Sequence, residues 1–244
     1  MDADLRWPRS VNARPLTFPG GIAMLGIDLA TPLDPPVGSA FDPLAVKLSA
    51  GYGVTDDLEL DAASYGFTTS EIKGDLAFGI GYKLARDAVD GKLEVIARLQ
   101  FGYNLVGGLN LTTNEAEGEP DPIQLGAQVR YRLTSKVSVV SPGGQLSIGL
   151  AEPQPVSVSL PVGLGYQVTE PLYLQFDTVF AKVAIKDDGD SVVIFADSTP
   201  VAVTGIYNIK PAFDVFGALS FDLSADEVGS TLALVLGARY YLGL

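Results

Sequence analysis

Apolar and polar residues alternate with a period of two through most of this 244-residue chain. Between residues 93 and 103, for example, every odd position is apolar, whereas the even positions include Glu94, Arg98 and Gln100. A period of two places alternate side chains on opposite faces of a strand, and it does not fit a helix. The pattern predicts twelve strands, at residues 17–30, 42–54, 57–67, 72–85, 92–105, 122–134, 136–150, 155–168, 171–184, 191–208, 212–223 and 230–244.

Most of these predicted strands are ten to fourteen residues long. Strands of globular proteins average about five or six residues, whereas a strand that crosses a bilayer at a tilt needs about nine to eleven. The weakest candidates, 136–150 and 191–208, are interrupted by Pro142-Gly143-Gly144 and by Pro200, which indicate an edge, a bulge or a loop. Strand length therefore favours a protein that spans a membrane.

The composition indicates how such strands are arranged. The mean hydropathy is +0.27, yet the longest uncharged stretch, 153–169, contains proline, glutamine, serine and glycine and is not a transmembrane helix. Hydrocarbon offers the backbone no hydrogen-bond partner, so strands enter it only as a closed barrel without edges. We therefore predict an all-β fold, a closed antiparallel up-and-down transmembrane β-barrel with apolar side chains towards lipid and polar ones towards the lumen.

The charged residues on the polar faces carry both signs. They can pair across a wet lumen, whereas burial in a dry core would cost several kcal/mol per ion. We expect Arg130 and Arg132 to pair with Glu94, Asp75 or Asp61 on neighbouring strands. Inward glycines such as Gly79 and Gly163 either leave the lumen open or relieve strain in the curved sheet. The predicted pore-lining residues are Lys47, Glu59, Asp61, Lys73, Asp75, Glu94, Arg98, Arg130, Arg132, Asp177, Asp214, Asp222 and Arg239.

A Tyr-x-aliphatic tripeptide ends alternate strands, with its first tyrosine on the apolar face. Tyrosine suits the lipid–water boundary because its ring lies among acyl chains while its hydroxyl reaches water; ordinary strand propensity is the alternative explanation. Connections after these tripeptides are short, whereas those at the other strand ends, 31–41, 106–121 and 186–191, are longer and acidic. In outer-membrane barrels the short turns are periplasmic, and an even strand number places both termini there. The predicted membrane-interface girdle is Tyr52, Tyr82, Tyr131, Tyr166, Tyr207 and Tyr240.

The first fifteen residues precede the predicted barrel, 16–244, and contain Arg6, Trp7, Arg9 and Arg14. The sequence leaves two interpretations open for them, a disordered periplasmic tail or a plug that enters the pore. The start at Met1 lacks the basic and apolar regions of a secretory signal, which is expected of a cytosolic chain or of a mature chain after signal removal.

The last strand carries a family resemblance. With Gly237, Tyr240 and Leu242 it resembles the C-terminal strand signal of Gram-negative outer-membrane barrels, which typically end in phenylalanine, whereas this chain ends in leucine. The stretch 52–104, with YGVTDDLEL and GDLAFGIGYKL, resembles porin-like transporters of the outer membrane. The resemblance implies an integral protein of the bacterial outer membrane, surrounded by its lipids and inserted by the barrel-insertion machinery through the C-terminal strand.

Several function classes are disfavoured by composition. The chain contains no histidine or cysteine, which excludes a Ser-His-Asp triad, a thiolate nucleophile and an imidazole or thiolate metal site. A net charge of −13 disfavours binding to nucleic acid. The acidic run 186–190 resembles a calcium loop but lacks the glutamate and spacing of an EF-hand. We predict no enzyme activity, no metal site and no cofactor.

Three functions are compatible with these expectations. Eight-stranded barrels are filled by side chains and sixteen-stranded ones leave an aqueous pore, so twelve strands favour a narrow passive channel or porin-like transporter for small polar solutes or ions. A structural or adhesive barrel with a closed, salt-bridged lumen is the first alternative. The second is a soluble barrel or sandwich that binds a small apolar ligand, in which the apolar faces would point inward. The transported solute and the oligomeric state stay open.

Overall fold

A computed structural model of the chain describes residues 7–33, 45–65, 71–110, 115–120, 122–150, 156–185, 194–195, 199–225 and 231–243. Apart from a 3-10 helix at Val11–Ala13 and one helical turn at Ala88–Gly91, the regular structure of this part is β-strand. The strands are β1 Ala23–Pro32, β2 Ala45–Gly53, β3 Leu58–Tyr65, β4 Glu71–Asp87, β5 Leu93–Asn110, β6 Glu115–Pro120, β7 Ile123–Arg132, β8 Val137–Ser141, β9 Leu146–Ile148, β10 Val156–Gln167, β11 Leu172–Ile185, β12 Ile194–Phe195, β13 Pro200–Lys210, β14 Phe213–Asp222 and β15 Ala233–Leu242.

These segments form one closed antiparallel barrel. β6 and β7 both pair with β5, β8 and β9 both pair with β7 and β10, and β12 and β13 both pair with β11. Each of these pairs is one interrupted strand, so the barrel has twelve strands. β15 pairs with β1 from Ala23↔Leu242 to Pro32↔Ala233 and closes the sheet. The predicted fold class and strand number are confirmed.

The strand formed by β8 and β9 is broken where the sequence indicates it. Gly143 and Gly144 have φ angles of 98° and 71°, which glycine adopts without steric cost. The side chain of Gln145 accepts a hydrogen bond from the Ala127 N–H and donates one to the Ala127 carbonyl, both at 2.7 Å. This amide thus replaces the missing backbone partner of β7, and the ladder continues past the break.

Two predicted boundaries are wrong. β1 begins at Ala23 rather than at residue 17, because Pro15 and Pro19 cannot donate to a ladder and Gly21, with a φ of 84°, turns the chain. The stretch 106–121 is not a loop throughout, since β5 extends to Asn110 and β6 pairs with it. Ladder hydrogen bonds join backbone groups, so β6 pairs with β5 although glutamate occupies positions 115, 117 and 119. The loops predicted at 31–41 and 186–191 lie largely outside the described residues.

The apolar stripes of the strands face outward. Leu48, Phe78 and Leu164 are 44%, 55% and 55% exposed, while Ala77 and Gly163, on the opposite faces of their strands, are buried. This orientation is the reverse of that expected for a soluble barrel, and it is the one that a lipid-facing wall requires. In the part of the chain that the structure describes, no helix has the length and apolar character needed to cross a membrane.

Candidate functional site: the barrel lumen

One cluster of charges crosses the inner wall between β3 and β5. Arg98 donates from Nη1 to Glu59 Oε1 at 2.9 Å and from Nη2 to Asp61 Oδ2. The intervening strand β4 has Gly79 and Gly81 at this level, where an added Cβ would lie 2.4 Å from Asp61 Oδ1 and 2.8 Å from Glu59 Cγ. The glycines therefore make room for side chains from a neighbouring strand to lie across β4, rather than leaving open lumen.

A second cluster lies between β5 and β7. Arg130 and Arg132 approach Glu94 Oε2 from their Nη2 atoms at 3.4 and 3.5 Å, and Arg132 also pairs with Asp87 at 3.2 Å. Glu94 and Arg130 are almost fully buried. Of the carboxylates expected to neutralise the two arginines, Glu94 does so, whereas Asp61 pairs with Arg98 instead.

Residues 7–22, called here the N-terminal segment, lie inside the barrel at the end where the short connections are, which we call the turn end. Carboxylate and amide side chains of the wall accept hydrogen bonds from its backbone. Asn12 N–H donates to Gln167 Oε1 at 3.0 Å, Leu16 N–H to Glu94 Oε1 at 2.9 Å, and Phe18 N–H to Glu59 Oε2 at 2.9 Å. The segment thus contacts β3, β5 and β10 at once, and so crosses the lumen.

Wall arginines bind the carbonyl groups of the same segment. Arg130 donates to the carbonyls of Val11 at 2.8 Å and Arg14 at 2.7 Å, and Arg132 donates to that of Asn12 at 3.0 Å. The charges that pair along the wall are therefore also the groups that hold the segment.

Arg14 joins the N-terminal segment to the wall through an ion pair with Asp214. Its Nη1 and Nη2 bond both oxygens of Asp214, and the Nη2–Oδ1 distance is 2.9 Å. The guanidinium carbon lies 5.2 Å from the ring centre of Trp7 and 5.6 Å from that of Tyr241. Tyr241 also donates its hydroxyl to Asp214 Oδ2 at 2.9 Å, and Asn208 donates its amide to Oδ1 at 2.6 Å. We call this group the Arg14 anchor.

A cavity of about 660 Å³ lies above the N-terminal segment. Trp7, Arg14 and Phe18 contribute to its floor, and Lys47 and Arg239 are among its wall residues. A smaller space of about 110 Å³ adjoins the break at 142–144, next to Arg98. The lumen thus holds the N-terminal segment at the turn end and a cavity next to it.

The remaining predicted lumen residues occupy different positions. Arg239 stacks on Phe216, with its guanidinium carbon 4.6 Å from the ring centre. Asp177 accepts two bonds from Gln175, at 2.9 and 2.8 Å. Asp222 lies away from the cavity at the end of β14, where its carboxylate accepts the Thr199 N–H at 2.9 Å. The side chains of Lys73 and Asp75 lie outside the described part of the chain.

Sequence reasoning missed three residues that hold the segment or its anchor, namely Gln167, Asn208 and Tyr241. Each is the middle residue of a Tyr-x-aliphatic tripeptide, as is Arg132. Because neighbours along a strand point to opposite faces, the middle residue points inward when the first tyrosine points outward. The repeat therefore marks an inner ring of side chains at the turn end, formed by the middle residues, as well as the outer ring of tyrosines.

The six tyrosines of the predicted girdle lie on the outside near the turn end. Five of them, Tyr52, Tyr82, Tyr166, Tyr207 and Tyr240, are between 41% and 54% exposed, and Tyr131 is half-buried. Their role at a membrane interface stays a prediction. Among the described residues no three acidic side chains are grouped so as to hold a metal ion, and the acidic run 186–190 lies outside them.

No family model and no curated protein matches the sequence. Solved structures do match the fold. The KdgM porin, in complex with disordered oligogalacturonate, is 9% identical, with 90% of this chain and 98% of that chain covered and a TM-score of 0.53. The NanC porin is 8% identical, with 89% and 98% covered and a TM-score of 0.52. The chain therefore has the fold and the apolar exterior of an integral barrel of the bacterial outer membrane.

Proposed function

We propose that the protein is a narrow passive channel for small polar solutes or ions in the outer membrane. The observation that carries this proposal is the cavity of about 660 Å³, enclosed by a closed barrel and lined by charges of both signs. A barrel that served only as a membrane anchor has no need of a hollow, charged interior, and twelve strands lie between the eight that side chains fill and the sixteen that leave an aqueous pore.

The lengths of the connections support one orientation of the barrel in the membrane. We place the turn end, with both chain termini, in the periplasm, and the outward tyrosines at that membrane interface. The chemistry of a tyrosine ring with a terminal hydroxyl supports this position. In the same scheme β15, which closes the barrel against β1, carries the signal for the barrel-insertion machinery.

Weak ion selectivity is expected of this channel. The cavity lining includes Arg98, whose charge is balanced by Glu59 and Asp61, and Arg14, which is paired with Asp214. Paired charges produce a weaker field in the lumen than a ring of one sign would, so neither cations nor anions are strongly excluded.

Planar-bilayer recording tests the proposal. The barrel is first shown to be folded by heat-modifiable gel migration and is then added at low concentration to a bilayer in potassium chloride. We expect discrete conductance steps and, under a salt gradient, a reversal potential close to zero. A folded barrel that gives no steps above the bilayer background, both as wild type and as Arg14→Gln, would refute the channel function.

A structural barrel with a closed lumen is the second candidate. The observation that favours it is the N-terminal segment, which fills the turn end together with the buried Glu94–Arg130 pair. Arg98→Gln separates the two, because Arg98 borders the cavity and its side chain is 25% exposed. A channel should change its conductance, whereas a closed structural barrel should lose only stability. Lys136→Gln, on an exposed turn, is the matched control.

A further inference from the structure

The N-terminal segment is held in the lumen without joining the sheet. None of its described residues belongs to a β-strand, and its link to β1 passes through Gly21, whose φ is 84°. Apart from two ladder-like bonds with Gly53 at its end, its contacts with the barrel are made largely by side chains. Because those two bonds belong to Gly21 and Ile22, residues 7–20 can leave without breaking strand pairing in the barrel.

The charges of the wall keep partners when the segment is removed. Glu94 still has Arg130 and Arg132, and Glu59 still has Arg98. Among the described wall residues, Asp214 is the one whose cation leaves with the segment, and it keeps the hydrogen bonds from the side chains of Tyr241 and Asn208. A wall that existed only to bind the segment would be left with several uncompensated buried ions, which is strongly unfavourable. This wall is already neutralised along its own strands.

The docked segment also leaves polar atoms unsatisfied. Five buried side-chain atoms have no hydrogen-bond partner within the described residues, and among them are Trp7 Nε1, Asn12 Oδ1 and Arg130 Nε, which belong to the segment or its binding site. An unsatisfied buried donor or acceptor carries a desolvation penalty that contact with water removes. Release of the segment would hydrate all three, which lowers the cost of leaving the lumen.

These observations together point to a movable element. We propose that residues 7–20 are a plug, tethered at Gly21 and Ile22, that closes the turn end of the lumen and swings out when the channel opens, with the Arg14 anchor as its latch. The inference rests on the proposed channel function and adds its regulation. Trp7, Arg14 and Phe18 lie on the floor of the cavity, so their departure joins the cavity to the turn end.

A reversible cross-link tests the movement in the full-length protein. Ser10 Oγ lies 3.1 Å from Gln167 Oε1, and the chain has no native cysteine. The double variant Ser10→Cys/Gln167→Cys is treated with a short bis-methanethiosulfonate, and cross-linking is measured by mass. We expect the linked barrel to stay at its closed conductance level and a reductant to restore opening. The control is Ser10→Cys alone with the same reagent. Equal conductance of linked and control barrels would overturn the plug.

Arg14→Gln tests the latch without a cross-link. Loss of the cation leaves a buried Asp214 carboxylate unpaired, which favours the hydrated, released state. We expect the fraction of time spent open to rise by about tenfold, equivalent to about 1.4 kcal/mol. Trp7 is the single tryptophan of the chain, so its emission should shift to longer wavelength and acrylamide should quench it more strongly. The matched control is Arg86→Gln, at an exposed site.

The outcomes separate the two proposals. If Arg14→Gln and Arg86→Gln give the same open fraction and the same Trp7 quenching, the plug is wrong while the channel stands. If neither wild type nor Arg14→Gln conducts although both are folded, the proposed channel function is refuted, and the proposed role of the plug in opening the channel is refuted with it.

Discussion

Replacement of Glu94 by glutamine should destabilise the barrel, because one carboxylate serves two arginines and the N-terminal segment. Its side chain is 1% exposed, Arg130 and Arg132 lie 3.4 and 3.5 Å from Oε2, and the Leu16 N–H donates to Oε1 at 2.9 Å. Glutamine preserves the shape and can keep the bond from Leu16. The substitution therefore isolates the loss of negative charge beside a buried Arg130.

The size of the effect follows from what Arg130 retains. Removing one partner of a buried ion pair lowers the free energy of unfolding by about 3–5 kcal/mol, because the charge of the other partner stays uncompensated in the interior. Arg130 keeps its bonds to the carbonyls of Val11 and Arg14, so the lower end applies. We expect Glu94→Gln to lower the free energy of unfolding by about 3 kcal/mol. Glu170→Gln, on an exposed turn, should change it by less than about 0.5 kcal/mol.

The assay is equilibrium unfolding by guanidinium in phospholipid vesicles, followed by far-UV circular dichroism and checked by heat-modifiable migration. A double-mutant cycle with Arg130→Met assigns the effect to the pair, and the double variant should be about 2 kcal/mol more stable than the sum of the single losses predicts. Two results would contradict the argument, namely a loss from Glu94→Gln no larger than that from Glu170→Gln, or additive losses in the cycle.

Two further predictions concern packing and orientation. Gly165→Ala should cost about 1–3 kcal/mol in unfolding free energy, because its Cβ would lie 1.9 Å from the Tyr173 hydroxyl oxygen; Gly205→Ala, whose nearest contact is 3.4 Å away, is the control in the same unfolding assay and should be nearly neutral. A fluorophore on Leu48→Cys should be quenched by a lipid-borne quencher, whereas one on Ser49→Cys should be reached only by a water-soluble quencher, since the first residue faces outward and the second lines the cavity. The opposite ranking in either pair would contradict the structure.

The barrel was largely predictable because its dominant constraint is local. A lipid-facing wall imposes the same requirement on every second residue. A short stretch such as 93–103 therefore indicates that the chain forms a strand, how long the strand is and which of its faces meets lipid. The start of β1 and the extent of β5 were wrong because both depend on backbone pairing beyond the apolar pattern. Ladder hydrogen bonds join backbone groups, so they leave no mark on the composition of a strand such as β6, which has glutamate, glycine and proline in place of an apolar stripe.

The interior was predictable only in part. Alternation assigns Glu94 and Arg130 to the inner face and neighbouring strands bring them together, so that pair follows from the sequence. Arg14 and Asp214 are two hundred residues apart, and no period relates them. Their contact depends on the path of a segment that forms no strand and only one short 3-10 helix. That path is set by the finished barrel rather than by the segment's own residues.

The pairing of inward glycines with bulky neighbours has a consequence for how the calibre of such a pore evolves. Each of these glycines leaves space that a side chain of the adjacent strand fills. Asp61 lies over Gly79, and Asp177 lies over Gly163. Enlarging the glycine alone creates a collision, because the neighbouring side chain already fills that place. A lineage can therefore put a larger residue at these levels only together with a smaller one on the adjoining strand, so narrowing the conduit from the glycine strands takes compensatory double changes.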